Sequence, residues 1–267
     1  SFGIDVRSSG DLVQRFEACW DEGALASHES AARALYAIKD RAFELIGHRL
    51  RLGQSISEIE VQEAMASWFD DEELISDSLP VVAAQENAGD PHYLPNRERH
   101  RRIAPEEIVL LDLWGKLEKP DAVYADITWV GYTGTTVPTR YSDPFGVIRK
   151  GRDAAIALVQ SAIQDGRPLC GWEVDREARN HIEAAGFGDR FIHRTGHSLG
   201  EEVHGNGVHL DDFETHDERR LLPGTAVTIE PGVYFKDFGL RTEINLYIGL
   251  DAATVTGPLQ SEIRPLV

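Results

Sequence analysis

At 267 residues, with 42% hydrophobic and 27% charged, the chain can bury a substantial core and has an ordinary globular composition, which excludes disorder and fibrous architecture. Its 45 acidic residues outnumber 27 basic ones, giving a net charge of −18, a surface that repels phosphate backbones and argues against a nucleic-acid partner. No apolar run reaches the length of a membrane span, no basic start followed by an apolar stretch opens the chain, and Cys19 and Cys170 lie far apart without a CxxC companion; these features predict a cytoplasmic protein without a disulfide framework or a membrane partner.

The first part of the chain reads as helical. Residues 27–52 place Ala31, Leu35, Ile38, Ala42, Leu45 and Ile46 at helical spacing, and Gly53 ends the run. Ser57 and Glu60 form a capping-box pattern that opens a second helix. After Pro80 the pattern changes to short apolar runs at 81–84, 108–114 and 123–132, bounded by turn-rich segments, which predict strands. A helix is expected from about Ile148 to Gly166 and another over 173–185, stopping at Gly186. From there short strands dominate, with 225–235 and 241–250 the clearest. Helix pairs followed by strand groups, twice over, predict an α+β domain with two similar halves, although the sequence shows no internal repeat.

Carboxylates inside strand patterns stand out. Asp112, Asp126, Glu230 and Glu243 each sit among apolar residues, where strand interiors disfavour acids and uncompensated burial costs several kcal/mol. Four such residues call for a common compensating charge, and a cluster of divalent cations is the simplest candidate. The segment HRTGHSLGEEVHGNGVH adds His193, His197, His204 and His209, with glycines at 196, 200, 205 and 207 that let the backbone crowd a ligand. A lone histidine is more often structural, but this density beside strand carboxylates predicts a site. The His-x-x-x-His spacing is not the zinc-protease helix pattern, because no Glu follows His193 and Gly196 interrupts a helix.

Taken together, the segments PHY (91–93), LLDLWG (110–115), ADITW (125–129), HRTGHSLGEEVH (193–204), TIEPGVY (228–234) and RTE (241–243) resemble, in order, those of the pita-bread metallopeptidases, the family of aminopeptidase P, prolidase, methionine aminopeptidase and creatinase. The resemblance implies a pita-bread fold of two pseudo-symmetric halves, with helices packed on a curved, mostly antiparallel sheet. It implies two divalent metal ions (Mn, Co, Zn or Fe) held by Asp112, Asp126, His197, Glu230 and Glu243, with Asp126 and Glu243 shared between them. His92, His193 and His204 would line the substrate pocket and serve catalysis by holding the scissile carbonyl and its oxyanion. Glu230 would shuttle a proton to the leaving amine, and Arg241 would orient the neighbouring carboxylates. The implied partner is a small peptide, and a homodimer is compatible with the family.

Arg241-Thr242-Glu243 resembles the Arg-x-Glu of the prolidase and aminopeptidase P branch, which implies cleavage beside proline, whereas the methionine branch usually carries Gln there. Two features depart from the pattern. The interval from Asp112 to Asp126 is 14 residues, longer than is usual in the family, with the insert KLEKPD between them. Trp129 stands where Arg often follows Asp-x-Thr, an exchange expected to alter the pocket without removing a metal. Residues 1–267 are expected to be one catalytic domain, with 1–26 a connector that follows an absent N-terminal domain. The alternatives are a methionine aminopeptidase-like or other amide hydrolase on the same scaffold, and a non-catalytic binding module.

Overall fold

A computed structural model describes residues 8–267; the first seven residues of the expected connector lie outside the described residues. Helix α1 (Gly10–Glu17) leads into α2 (Glu22–Arg51) and α3 (Glu58–Asp71). Strands β1 (Leu74–Ile75), β2 (Val81–Ala84), β3 (Ile108–Leu117) and β4 (Ala125–Tyr132) follow. Then come α4 (Thr139–Gln164), α5 (Gly171–Ala184), β5 (Ser198–Leu199), β6 (Thr225–Ile229), β7 (Gly232–Tyr234), β8 (Gly239–Arg241), β9 (Ile244–Ile248), β10 (Ala253–Val255) and β11 (Arg264–Pro265). Both halves therefore repeat one plan, a long helix and a 14-residue helix followed by antiparallel strands. In the first sheet β1 and β2 pair with β3, β3 with β4, and β11 joins β4 as the parallel exception; the second runs β10–β9–β6–β5, and β7–β8 form a small hairpin.

Local chemistry sets these boundaries. Asp21 caps α2 by accepting the Ala24 N–H at 2.8 Å, and His48, Arg49 and Arg51 in its last turn complement the helix dipole. The capping box of α3 is present, with Ser57 N–H donating to Glu60 at 2.8 Å. α4 starts nine residues before the expected Ile148, at Thr139. The segment DPFG reads as a turn, yet Pro144 lies in the second turn of the helix, where it removes one hydrogen bond while Tyr141, Phe145 and Ile148 bury a continuous stripe. The strands expected over 225–235 and 241–250 are each interrupted. Pro231 has no N–H for the ladder and separates β6 from β7, and Thr242–Glu243 separate β8 from β9.

Strand alternation decides where the site falls. In β3 and β4, Leu111, Leu113 and Ile127 pack against Leu35, Ile38 and Phe43 of α2 and Met65 of α3. Asp112 and Asp126 have the other parity. Asp112 pairs with Thr128 and Trp114 with Asp126, so both acids point to the same face despite the longer hairpin. In the second half Val227, Ile229, Ile244, Leu246 and Ile248 pack with Ile156 and Val159 of α4 and Val174 and Ala178 of α5. Thr228 pairs with Asn245, and continuing that register by two residues sets Glu230 opposite Glu243. Each half thus turns its apolar strand face to its own helices and its carboxylates to the other. The halves are stitched there, with Asp126 N–H donating to Asn245 Oδ1 at 2.9 Å and Glu243 N–H donating to the Thr128 carbonyl at 3.1 Å.

Trp129 has the α2-facing parity, and this corrects the expectation that it alters the pocket. Its ring carries the Lys39 ammonium 3.9 Å from the centroid and meets the Tyr36 ring edge-on at 6.1 Å.

His28 of α2 is fully buried. Its Nδ1 lies 2.8 Å from the Tyr124 carbonyl and must donate to it, so Nε2 accepts from the Thr256 hydroxyl at 2.7 Å and the ring is neutral. Burial pushes its pKa down to about 4, against some support from the Tyr124 carbonyl. Because the folded pKa lies below the unfolded one, the unfolded chain binds the extra proton between about pH 6.5 and pH 4, and stability falls with pH across that window. Urea titrations from pH 7 to pH 4 should therefore show the parent losing up to about 3 kcal/mol more than His28→Gln. Equal losses in the two proteins would refute this.

Candidate metal centre and peptide site

A cavity of about 480 Å³ opens where the two sheets meet, and all nine residues to which the resemblance gives a role line it: His92, Asp112, Asp126, His193, His197, His204, Glu230, Arg241 and Glu243. His209, the fourth histidine of the His-Gly segment, does not, and its Nδ1 instead accepts the Ser198 N–H at 3.1 Å. Asp126 and Glu243 are 5% and 2% exposed, and His197 is 3% exposed. One donor atom from each of these three lies within 4.8 Å of the others, so they could hold a metal ion. Asp112 and Glu230 complete the carboxylate wall outside this tight group.

The loop before β5 presents His197. Gly196 passes so close to the second sheet that a Cβ there would meet the Thr228 carbonyl at 2.0 Å, so no other residue fits this approach. His197 N–H donates to the Thr228 hydroxyl at 2.9 Å, and its Nδ1 donates to the Ser198 carbonyl at 3.0 Å. That bond fixes the tautomer and leaves the Nε2 lone pair facing Asp126 Oδ2 and Glu230 Oε1, each 3.5 Å away. Asp126 Oδ1 is buried with no hydrogen-bond partner. An imidazole lone pair aimed at carboxylates and an orphaned buried carboxylate oxygen make a donor set for a cation, and the N and O ligands suit a divalent transition metal.

Burial pushes the carboxyls of Asp126 and Glu243 well above the ordinary range. Asp112 adds to this at Asp126, Asp126 and Glu230 add to it at Glu243, and Arg241 opposes it at both. Burial also raises Glu230, against the pull of His197 and Arg241. Arg241 is 7% exposed; burial works against its charge, but Asp112, Tyr234, Glu230 and Glu243 hold it protonated. It pairs directly with Asp112 Oδ2 and donates to Thr128 Oγ1 at 3.0 Å and to the Tyr234 hydroxyl at 3.1 Å. The Thr128 hydroxyl lies 2.7 Å from Glu243 and 2.9 Å from Asp112, within reach to donate to either.

The three pocket histidines differ. His193 has both ring nitrogens engaged: Nδ1 donates to the Arg194 carbonyl at 2.7 Å, and Nε2 accepts from the Tyr234 hydroxyl at 2.9 Å. Burial, and then Arg241, pushes its pKa down to about 3. His204 stands edge-on to His197 with ring centroids 4.4 Å apart, and among the described contacts its nitrogens have no hydrogen-bond partner. Burial against the cavity wall and then His197 lower its pKa to about 4, although part of the ring is exposed. His92 is exposed on the rim.

Sequence reading gave no role to Thr128, Tyr234 or Trp114, although each lies in a quoted motif. Thr128 and Trp114 were open to deduction, since two-residue alternation puts them on the face of Asp126 and Asp112. Asp77, which accepts the Trp114 indole N–H at 2.6 Å, and Glu214 reach the cavity from loops and carry no sequence signal.

Two halves of helices on antiparallel strands, joined around buried carboxylates and a histidine that could hold a metal ion, define the class: a pita-bread domain. The chain belongs to metallopeptidase family M24, whose model matches residues 29–249. It is 31% identical over 216 residues to an Xaa-Pro dipeptidase of Lactobacillus delbrueckii subsp. lactis, covering 76% of this chain and 51% of the relative. It is 27% identical over 253 residues to the putative dipeptidase YkvY of Bacillus subtilis (strain 168), covering 94% of this chain and 63% of the relative. Among solved structures it is similar to the dipeptidase PepE of Mycobacterium ulcerans, with a TM-score of 0.78 and 23% identity over 99% of this chain and 66% of that one. A dipeptidase from Pyrococcus horikoshii OT3 superposes with a TM-score of 0.76 and 26% identity, over 97% and 67% of the two chains. The chain thus spans about half to two thirds of the length of these relatives. Among the described residues, no helix is long and apolar enough to cross a membrane.

Proposed function

We propose that this chain is the catalytic domain of a dinuclear metal-dependent exopeptidase that cleaves bonds beside proline, of the Xaa-Pro dipeptidase or aminopeptidase type. The observation that carries it is the convergence of four carboxylates and His197 in one cavity, with Asp126 Oδ1 buried and unpartnered. The Arg241-Thr242-Glu243 segment and the names of the relatives support the proline-directed branch. Asp112, Asp126, His197, Glu230 and Glu243 would hold the ions. Bound divalent cations supply Lewis-acid polarisation of a carbonyl and make water nucleophilic near neutral pH.

The chain's own groups do the rest. Glu230, a carboxyl at the cavity wall, carries the proton from the attacking water to the leaving nitrogen. Arg241 holds Asp112 and, through Thr128, the Glu243 side in place. His193 has both nitrogens committed, so it orients Tyr234 and shapes the wall, while His204 has a nitrogen free to donate to the developing oxyanion. His92 closes the rim of the peptide site. A site that grips the carbonyl oxygen accepts proline, whose tertiary amide offers no N–H.

Protein purified with Mn or Co should carry about two ions per chain by elemental analysis. The same protein should cleave Ala-Pro or Ala-Pro-Ala faster than Met-Ala-Ser. Faster turnover of Met-Ala-Ser would move the chain to the methionine aminopeptidase side. A reproducible absence of both metal and turnover would make it a binding module.

A further inference from the structure

The loop that carries His204 is held from the opposite half of the molecule. Tyr124, at the end of the β3–β4 connection, donates its N–H to the Gly200 carbonyl at 2.9 Å. Lys116, near the end of β3, donates Nζ to the Glu201 carbonyl at 2.7 Å, and its ammonium stands 5.4 Å from the Tyr124 ring centroid. Beneath the loop, Val203 is buried with Tyr124, Leu199 and Ala226 in an apolar cluster separate from the larger cores. On the far side of His204, Gly205 N–H donates to the Ser198 carbonyl at 2.8 Å. His204 makes no hydrogen bond of its own among the described contacts, so its place is inherited from these neighbours.

We propose that the β3–β4 hairpin braces the His204 loop, with Lys116 and Tyr124 as positioning residues that set where the imidazole stands over the cavity. Without them, the carbonyls of Gly200 and Glu201 would face water and the loop would lose its ties to a rigid element. Lys116 lies in β3 just before the β3–β4 turn, which places its ammonium within reach of the other half. Carbonyl acceptance of an ammonium proton is a charge-assisted bond, stronger than a neutral one. Misplacing a catalytic group by a fraction of an ångström is felt in kcat more than in substrate affinity.

The proposal rests on the assignment of His204 to turnover, and its test separates the two. Lys116→Met keeps an apolar stem over the Tyr124 ring and removes the donor, while Lys116→Arg restores a donor. In the metal-loaded chain, Lys116→Met should lower kcat for the preferred peptide about tenfold, with KM and metal content unchanged. Amide hydrogen exchange at Tyr124, Gly200 and Gly205 should rise by a similar factor, and Lys116→Arg should reverse both effects. In a His204→Ala background, Lys116→Met should change kcat no further. Unchanged exchange in Lys116→Met, or a tenfold loss that persists in full when His204 is already Ala, overturns the brace. His204→Ala alone reads the role of His204: full activity there removes what the brace is said to position. Should the parent cleave none of the peptides, the exchange measurement still decides whether the loop is held by Lys116.

Discussion

Replacing Glu243 with Ala is expected to leave the protein folded, free of bound metal and without measurable turnover. Glu243 occupies the two-residue break between β8 and β9, so its main chain is held by the N–H bond to the Thr128 carbonyl and does not depend on the carboxylate. Its side chain is one of the three donors that converge and could hold a metal ion. Removing it would weaken metal binding, and with the metal go several kcal/mol of transition-state stabilisation, about 10³-fold or more in kcat. Stability should change in a way that separates this from simple damage. In the metal-free parent, Asp126, Glu230 and Glu243 crowd one another in a buried space, a repulsion that the variant relieves. In EDTA the variant should melt no lower than the parent. In excess Mn the parent should gain about 3 kcal/mol, the mass-action value at a concentration near a hundred times its dissociation constant, and the variant should gain nothing. Thermal melts in both buffers, with elemental analysis, check this. Full metal retention in Glu243→Ala would place the ions elsewhere.

The plan of the fold was legible because each half follows ordinary periodicity. Leu35, Ile38 and Ala42 mark the buried face of α2, the Ser57–Glu60 box starts α3, and the strand acids mark the face that the helices leave free. Boundaries were less legible where a single residue had two local meanings. Pro144 signals a turn in isolation, yet the apolar stripe of Tyr141, Phe145 and Ile148 carries the helix through it. Strand patterns through Glu230 and Glu243 read as continuous, whereas Pro231 and Thr242 mark breaks that place both acids at strand ends. The candidate site was visible residue by residue, since buried acids and a His-Gly segment are unusual in any sequence. What sequence could not show is which groups meet across the two sheets. The link from Arg241 through Thr128 to Glu243 and Asp112, and the one from Arg241 through Tyr234 to His193, join residues from five separate segments. Arg152 of α4, to which the sequence reading gave no role, is 1% exposed and donates to Thr242 Oγ1 at 2.8 Å and the Gln260 carbonyl at 2.9 Å, steadying the turn that carries Arg241 and Glu243.

His204→Ala is expected to lower kcat by about 10²-fold or more, the scale of losing one oxyanion donor, while metal content and melting temperature stay close to those of the parent. The structure separates this residue from its neighbours. His193 spends both nitrogens on Arg194 and Tyr234, and His197 commits Nδ1 to Ser198 while its Nε2 faces Asp126 and Glu230. His204 alone of the three lies in the wall with an uncommitted ring, beside His197 at 4.4 Å. Among the described contacts no hydrogen bond depends on that ring, and Val203 and Gly205 anchor the loop on either side. His204→Gln, which keeps an N–H donor of similar reach, should recover part of the lost kcat, whereas His204→Met, of similar bulk but without a donor, should not. If the contact forms only as the tetrahedral oxyanion develops, kcat and kcat/KM should fall together with KM nearly unchanged. A variant that keeps full kcat, or one whose loss is entirely in KM, would move oxyanion stabilisation away from His204 and onto His92 at the rim.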